Sequence, residues 1–382
     1  MRASLITNAL VASLIGYGST IAVLLAAAAA LGATPAQTAS MVFAVCVAKG
    51  ITSGILSFHT RVPVVLAWST PGLALMAAST GISVPEAVGA FCVAASLVML
   101  TGVWGPLGRL VQRIPDGLAA GMLAGVLLPF CLPLTRAVQD LPGLVLPMIA
   151  VFAIVRLKSP AMAVLGALAT GIVLAFALGG AQMPPLALPL PQITLIKPEL
   201  RASVLLGLGV PLYLVTMASQ NLPGFAVQRA HGYAATVRPG LVGTGFASFI
   251  SGFAGAPPIS MAAITAAICL ADDTHPDRSQ RWKVGLAYGG IWVTLGLFSP
   301  LIIPMIAALP QPLIAALVAL GLLGPLMGAA AGAFAVPDQR FAALVTLVTT
   351  ASSVSFFGIG AAFWGLLAGI GIYAMERWVK KP

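Results

Sequence analysis

Two apolar stretches, one in each half of the chain, carry proline, glycine and hydroxyl residues where a continuous membrane helix would be interrupted. The first is Val62-Pro63-Val64-Val65-Leu66-Ala67-Trp68-Ser69-Thr70-Pro71-Gly72, the second Ser251-Gly252-Phe253-Ala254-Gly255-Ala256-Pro257-Pro258-Ile259-Ser260. Proline biases the residue before it away from helix but is tolerated in a first turn, so a helix is expected to start near Ser69–Pro71 and another near Ala256–Pro258. Each start leaves backbone N–H groups without intrahelical partners, with Ser69 or Thr70 as cap in the first half. Gly72 and Gly255 leave the backbone open to close approach. Two helix starts facing each other near the middle of a membrane would make an anion site without arginine or lysine. The alternative is that the prolines only kink packed helices.

Further candidates come from the neighbouring segments. Tyr17, between Gly16 and Gly18, can donate a hydrogen bond or stack on an aromatic ligand, or simply pack. Gln220 and Asn221 precede Leu222-Pro223-Gly224 at the expected end of a span, where their amides bind a carboxylate or cap the helix. Trp68 and Phe253 offer apolar walls, and Trp292 reads as a packing residue. The candidate substrate site is therefore Tyr17, Trp68, Ser69, Thr70, Gly72, Gln220, Asn221, Phe253, Gly255 and Ala256. No catalytic constellation, metal-ligand cluster or cofactor motif is apparent. No acidic residue sits clearly at a span centre: Glu86, Asp116 and Asp338 each follow a proline, where a first-turn carboxylate is favourable. His59 and Glu86 are the weak candidates for a proton-coupling role. A weak acid bringing its own proton is the other route, since neutralising a carboxylate removes most of its desolvation cost.

The elements that must position these residues follow from composition. Of 382 residues, 59% are hydrophobic and 7% charged, against about 25% charged in soluble domains. The chain divides into segments near the length that crosses a hydrocarbon core of about 30 Å. They fall at 5–31, 36–57, 70–80, 84–104, 116–135, 141–156 and 160–179, then 200–219, 236–253, 257–271, 282–299, 309–329, 338–352 and 356–376. The expectation is an all-α polytopic membrane protein of 14 transmembrane segments, the third and tenth short and discontinuous, with residues 5–31 as first span rather than a signal peptide. With the N-terminus inside, sixteen of the 19 Lys and Arg residues, Lys49 among them, fall on the cytoplasmic side, leaving Arg136, Lys197 and Arg201 outside. Both termini are then cytoplasmic, and seven segments per half invert the second half relative to the first. Ile114-Pro115 and Leu309-Pro310, at a constant offset of 195, open similar helices, and Arg2-Ala3-Ser4-Leu5 resembles Arg201-Ala202-Ser203-Val204. Stripes of small residues (Gly117, Gly121, Gly125; Gly324, Gly328, Gly332; Gly365, Gly369) read as helix-packing faces. The net charge of +10 forms no aromatic-interleaved patch, so it reports orientation rather than nucleic-acid binding. Cys46, Cys92, Cys131 and Cys269 lie in apolar stretches as small buried hydrophobes.

The segments Phe58-His59-Thr60-Arg61-Val62-Pro63 through Pro71-Gly72, Ser219-Gln220-Asn221-Leu222-Pro223-Gly224 and Gly255-Ala256-Pro257-Pro258 resemble those of the benzoate:proton symporter (BenE-type) family, over almost the whole chain. The resemblance implies the architecture of uracil permeases and sulfate transporters: a seven-plus-seven inverted repeat split into core and gate. It implies core segments at 1–104 and 200–299, gate segments at 105–180 and 300–382, and a linker at 181–199. It also implies inner-membrane import of benzoate or a related small aromatic carboxylate with protons, by alternating access and without a cofactor. The nucleobase relatives use acidic residues where this chain has Gln220/Asn221 and Gly255/Ala256, which favours an aromatic acid. A nucleobase or inorganic-anion carrier, a channel or a nontransporting scaffold are the alternatives. Membrane lipid is the expected environment, and a homodimer is left open.

Overall fold

The computed structural model describes residues 2–79, 81–106, 114–178, 190–354, 356–357 and 359–379. Arg109, Arg113, Lys380 and Lys381 of the charge pattern, and 181–189 of the linker, lie outside them. The first half comprises α1 (Ala3–Ala30), α2 (Pro35–Thr60), β1 (Leu66–Trp68), α3 (Thr70–Ala77), α4 (Val84–Val103), α5 (Asp116–Cys131), α6 (Pro133–Asp140), α7 (Pro142–Lys158) and α8 (Pro160–Ala177). The second comprises α9 (Ala202–Ala230), α10 (Val237–Gly252), β2 (Ile259–Met261), α11 (Ile264–Leu270), α12 (Lys283–Leu297), α13 (Ser299–Ala307), α14 (Gln311–Ala333), α15 (Arg340–Ala351) and α16 (Ala361–Val379). Every expected segment contains a helix. Among the described residues six helices are individually long and apolar enough to span a membrane, and α12 with α13 makes a seventh if that pair, bent by 62°, is one span.

Local chemistry sets the helix ends. Thr34 and Gln37 form a reciprocal capping box at α2, and the Glu86 carboxylate accepts the Ser83 N–H at 2.8 Å at α4. Arg61 closes α2 in the left-handed region, at φ 56°.

Three boundaries depart from expectation. The eighth segment continues through Gln220 and Asn221 to Ala230, because π turns at Leu205–Gly209 and Met217–Asn221 absorb Pro211 and Pro223, which lack the N–H a regular α turn would use. The tenth helix begins at Ile264 rather than near Ala256–Pro258: the residues after Pro257 and Pro258 stay extended and pair as a strand. Between the eleventh and twelfth expected segments, Ser299-Pro300 restarts a separate helix, α13.

Two packing groups emerge. In one, α2 lies along α12, α4 along α10, and α1 against α12 and α3; in the other, α5 packs on α14 and α15, α7 on α8, and α15 on α16. Small-residue stripes make some of these contacts. A Cβ on Gly121 would stand 2.5 Å from the Ala343 carbonyl oxygen and one on Gly125 2.6 Å from that of Leu347, so α5 and α15 touch backbone to backbone. Gly365 and Gly369 leave room for the Thr350 and Thr346 hydroxyls, whereas Gly324 and Gly328 face open space.

Candidate functional site

The two interrupted segments meet. β1 and β2 pair antiparallel, with Leu66 opposite Met261, Ala67 opposite Ser260 and Trp68 opposite Ile259. Ser69 N donates to the Pro258 carbonyl and Ala262 N to that of Val65, both at 2.9 Å, extending the ladder at each end. Two chain segments that cross a membrane in the same sense cannot pair this way, so the crossing is the local expression of the inverted repeat.

Extended backbone at membrane depth survives only if its polar groups find partners within the protein. Here neighbouring helices supply them. Ser57 Oγ on α2 accepts the Val64 N–H at 2.9 Å, and Ser248 Oγ on α10 accepts the Ile259 N–H at 2.8 Å, the same device in each half. Ser53 donates to the Val64 carbonyl, Tyr288 Oη to that of Leu66 at 2.8 Å, and Gln228 to that of Pro63 at 3.3 Å. Asn221 Oδ1 accepts the Met261 N–H at 2.9 Å.

The start of α3 is capped and sealed. Ser69 is fully buried, its Oγ accepting from the Gly72 N–H at 3.2 Å and from the Thr216 hydroxyl of α9 at 2.8 Å. Gly72 is required there: a Cβ would stand 2.5 Å from Leu212 Cδ1 and 2.8 Å from Ser69 Oγ. Thr70 is half-buried in the first turn. The start of α11 differs. Ala263 supplies no side-chain cap, and Ile264 is exposed.

Behind the crossing lies an aromatic cluster. Tyr17 of α1 has its ring 6.0 Å from that of Trp68 and 5.8 Å from that of Trp292, and Trp68 stands edge-on to Trp292 at 5.2 Å. Trp68 Nε1 donates to Thr20 Oγ1 at 2.6 Å. Tyr17 Oη and Trp292 Nε1 are buried without hydrogen-bond partners. Lys49 of α2 lies inside this cluster, 1% exposed, its Nζ 2.9 Å from the Trp292 ring centre and 3.8 Å from that of Trp68.

The structure thus brings Tyr17, Trp68, Ser69, Thr70 and Gly72 into one neighbourhood and ties Asn221 to β2. Gln220 is half-buried on the same π turn. Phe253, Gly255 and Ala256 precede β2 on another side: Phe253 meets Phe249 edge-on, and Gly255, at φ 80°, packs on Met41 and Ile196. His59 is exposed at the end of α2, and Glu86 pairs with Arg201 at 3.0 Å. Sequence reasoning missed Thr216 and placed Lys49 on the cytoplasmic side. The correction for Lys49 was legible: it stands eleven residues before the end of α2, about 16 Å along a helix, too deep to reach the surface. Nothing in its type or spacing marked Thr216.

Two cavities flank the contact of α9 with α5 and α16. One, about 90 Å³, is lined by Val204 and Gly207 near the start of α9 together with Leu75 and Ala78 of α3. The other, about 100 Å³, is lined by Leu214, Ala218 and Leu222 further along α9 with Asp116 and Met122 of α5. Both are smaller than the roughly 300 Å³ of an ordinary small-molecule pocket, and neither reaches Ser69.

The family model described as "Benzoate membrane transport protein" (BenE) matches residues 1–375. The chain belongs to the BenE family of membrane transporters. It is 40% identical over 359 residues to the inner membrane protein YdcO of Escherichia coli K12, covering 94% of this chain and 92% of that one. It is 35% identical over 363 residues to the benzoate membrane transport protein of Acinetobacter baylyi, covering 95% and 92%. Its fold matches the transmembrane domain of the cyanobacterial bicarbonate transporter BicA (TM-score 0.60, 15% identity, 97% of each chain). It also matches the murine anion transporter Slc26a9 in the inward-facing state (TM-score 0.64, 12% identity, 98% of this chain and 68% of that one). This BenE member is therefore an inverted-repeat, multi-pass transporter of the bacterial inner membrane.

Proposed function

We propose that this BenE member imports benzoate, or a similar small aromatic carboxylate, together with protons by alternating access. The observation that carries the reading is the antiparallel crossing of β1 and β2, from whose opposite ends α3 and α11 start, with the capped start of α3 beside an aromatic cluster. In this reading the carboxylate lies against the start of α3, oriented by Thr70 and Ser69 through charge-assisted hydrogen bonds. The ring lies against Tyr17 and Trp68, and the Gln220–Asn221 turn lies alongside. The α1–α4 and α9–α12 group acts as core; α5–α8 with α14–α16 acts as gate. With two small cavities on either side of the α5–α9 contact, separating the core from α5 on one side and then the other would expose the start of α3 alternately. Both partners of the Thr216–Ser69 hydrogen bond belong to the core, so it opens when the arriving carboxylate takes its place and is remade when the carboxylate leaves. The absence of an arginine at the helix starts suits a small anion that must leave as readily as it enters.

The test is uptake of labelled benzoate into proteoliposomes under an acid-outside gradient, with unlabelled benzoate, sulfate or uracil as competitor. Saturable, gradient-dependent uptake blocked by benzoate alone is expected. Competition by sulfate or uracil instead would make it an inorganic-anion or nucleobase carrier. Non-saturable flux would make it a channel, and no uptake of any of the three would leave a nontransporting scaffold.

A further inference from the structure

Lys49 is a lysine side chain sealed inside the protein with no carboxylate against it. Among the described residues the salt bridges are Arg201–Glu86 and Arg281–Asp272, neither of which involves Lys49. Its Nζ meets the faces of Trp292 and Trp68, whose negative quadrupoles favour a cation without neutralising it. The titratable groups around it are Cys46 one turn earlier on α2, Tyr17 from α1, Tyr288 from α12 and, beyond Tyr288, Cys269 from α11. None is a carboxylate or a second cation. β1 contributes only Trp68, and α13 has no ionisable residue. A buried charge with no counter-ion is costly, so the balance between amine and ammonium at this position responds to any anion that arrives nearby.

Trp68 links it to the crossing: Lys49 lies on the Trp68 ring, and the next residue, Ser69, caps α3. An anion at the start of α3 and an ammonium at Lys49 would be separated by one residue and an indole. At a spacing on the order of 10 Å and an effective dielectric constant of about 20, their attraction shifts a binding equilibrium roughly tenfold.

We infer that Lys49 is the group that couples proton to substrate, its amine taking up a proton as the carboxylate docks at the start of α3 and giving it up when the carboxylate leaves. The inference rests on the proposed transport of an aromatic carboxylate. The proton comes from water on the loading side and returns to water on the releasing side, so at tenfold linkage up to about half a proton crosses with each anion. Because the linkage is reciprocal, protonating Lys49 tightens anion binding by the factor by which the anion favours the proton.

The experiment is calorimetric titration of the purified protein with benzoate in buffers of different ionisation enthalpy, between about pH 6 and 9, where benzoate itself stays ionised. Tenfold linkage predicts an affinity rising about tenfold toward acid and a net uptake peaking near half a proton per anion. Lys49→Met is expected to bind weakly at every pH with no proton uptake, and Lys49→Arg to bind tightly without pH dependence. In proteoliposomes both variants should exchange benzoate across the membrane yet fail to accumulate it against a gradient. Wild-type binding without pH dependence or proton uptake overturns the inference, whatever the folding of the variants. So does a Lys49→Met protein with the wild-type pH profile. Wild-type protein that neither binds nor transports benzoate overturns the functional reading itself.

Discussion

Replacing Ser69 with alanine removes both roles of one buried hydroxyl, and the structure lets each be sized. The lost N-cap costs about 1 kcal/mol. The Thr216 hydroxyl, 2.8 Å from Ser69 Oγ and itself buried, loses its acceptor, at about 1–3 kcal/mol for an unpaired buried group. Ser69→Ala should therefore lose roughly 2–4 kcal/mol of stability. Thr216→Val removes the donor without leaving one orphaned and should lose only about 1 kcal/mol. In the double variant no orphan remains, so its loss should fall short of the sum of the singles by about 1 kcal/mol or more. The assay is reversible denaturant unfolding in mixed micelles on the four proteins of this cycle, with benzoate affinity measured alongside. Single effects that add within about 0.5 kcal/mol would refute the hydrogen bond as an energetic link between α3 and α9.

Asn221→Leu strips the Met261 N–H of its acceptor and should lower stability by about 1–3 kcal/mol, with faster amide exchange at Met261. Gly50→Ala drives a Cβ to 2.7 Å from the Gly289 carbonyl; the resulting overpacking between α2 and α12 should cost about 1–3 kcal/mol and appear as a lower midpoint in thermal unfolding. Thr70→Val, at a half-buried first-turn position, should weaken benzoate binding more than it lowers folded yield, and unchanged affinity in purified protein would remove that hydroxyl from the site.

Much of this fold was legible because its signals are coarse. Apolar length, the positive-inside bias and the proline breaks each respond to the bilayer, and they located a helix in every expected segment. The start of α3 was readable for a local reason, since Ser69, Thr70 and Pro71 are strong first-turn residues. The start of α11 was not: whether Ile259–Met261 is helix or strand depends on pairing with β1, 193 residues away between Ala67 and Ser260, and local propensity is silent about that. Gln220 and Asn221 looked terminal because Pro223 normally stops a helix, whereas a π turn lets the chain continue. Phe253, Gly255 and Ala256 matched the first break by composition, yet the strand carries them past the crossing to pack by Phe249, Met41 and Ile196. Thr216 is an ordinary helical threonine until α3 packs on it. Lys49 was misplaced by the counting rule, which assigns cations to the nearest end without asking how far that end is.

The central claim is that a carboxylate docks where β1 crosses β2. A density map of the protein in lipid nanodiscs with saturating benzoate tests it most directly. The account predicts ligand density with its carboxylate at the first turn of α3, beside Thr70, and its ring against Tyr17 or Trp68, with Thr216 parted from Ser69. Density confined to the flanking cavities, or an unaltered Thr216–Ser69 contact with benzoate bound elsewhere, would contradict it.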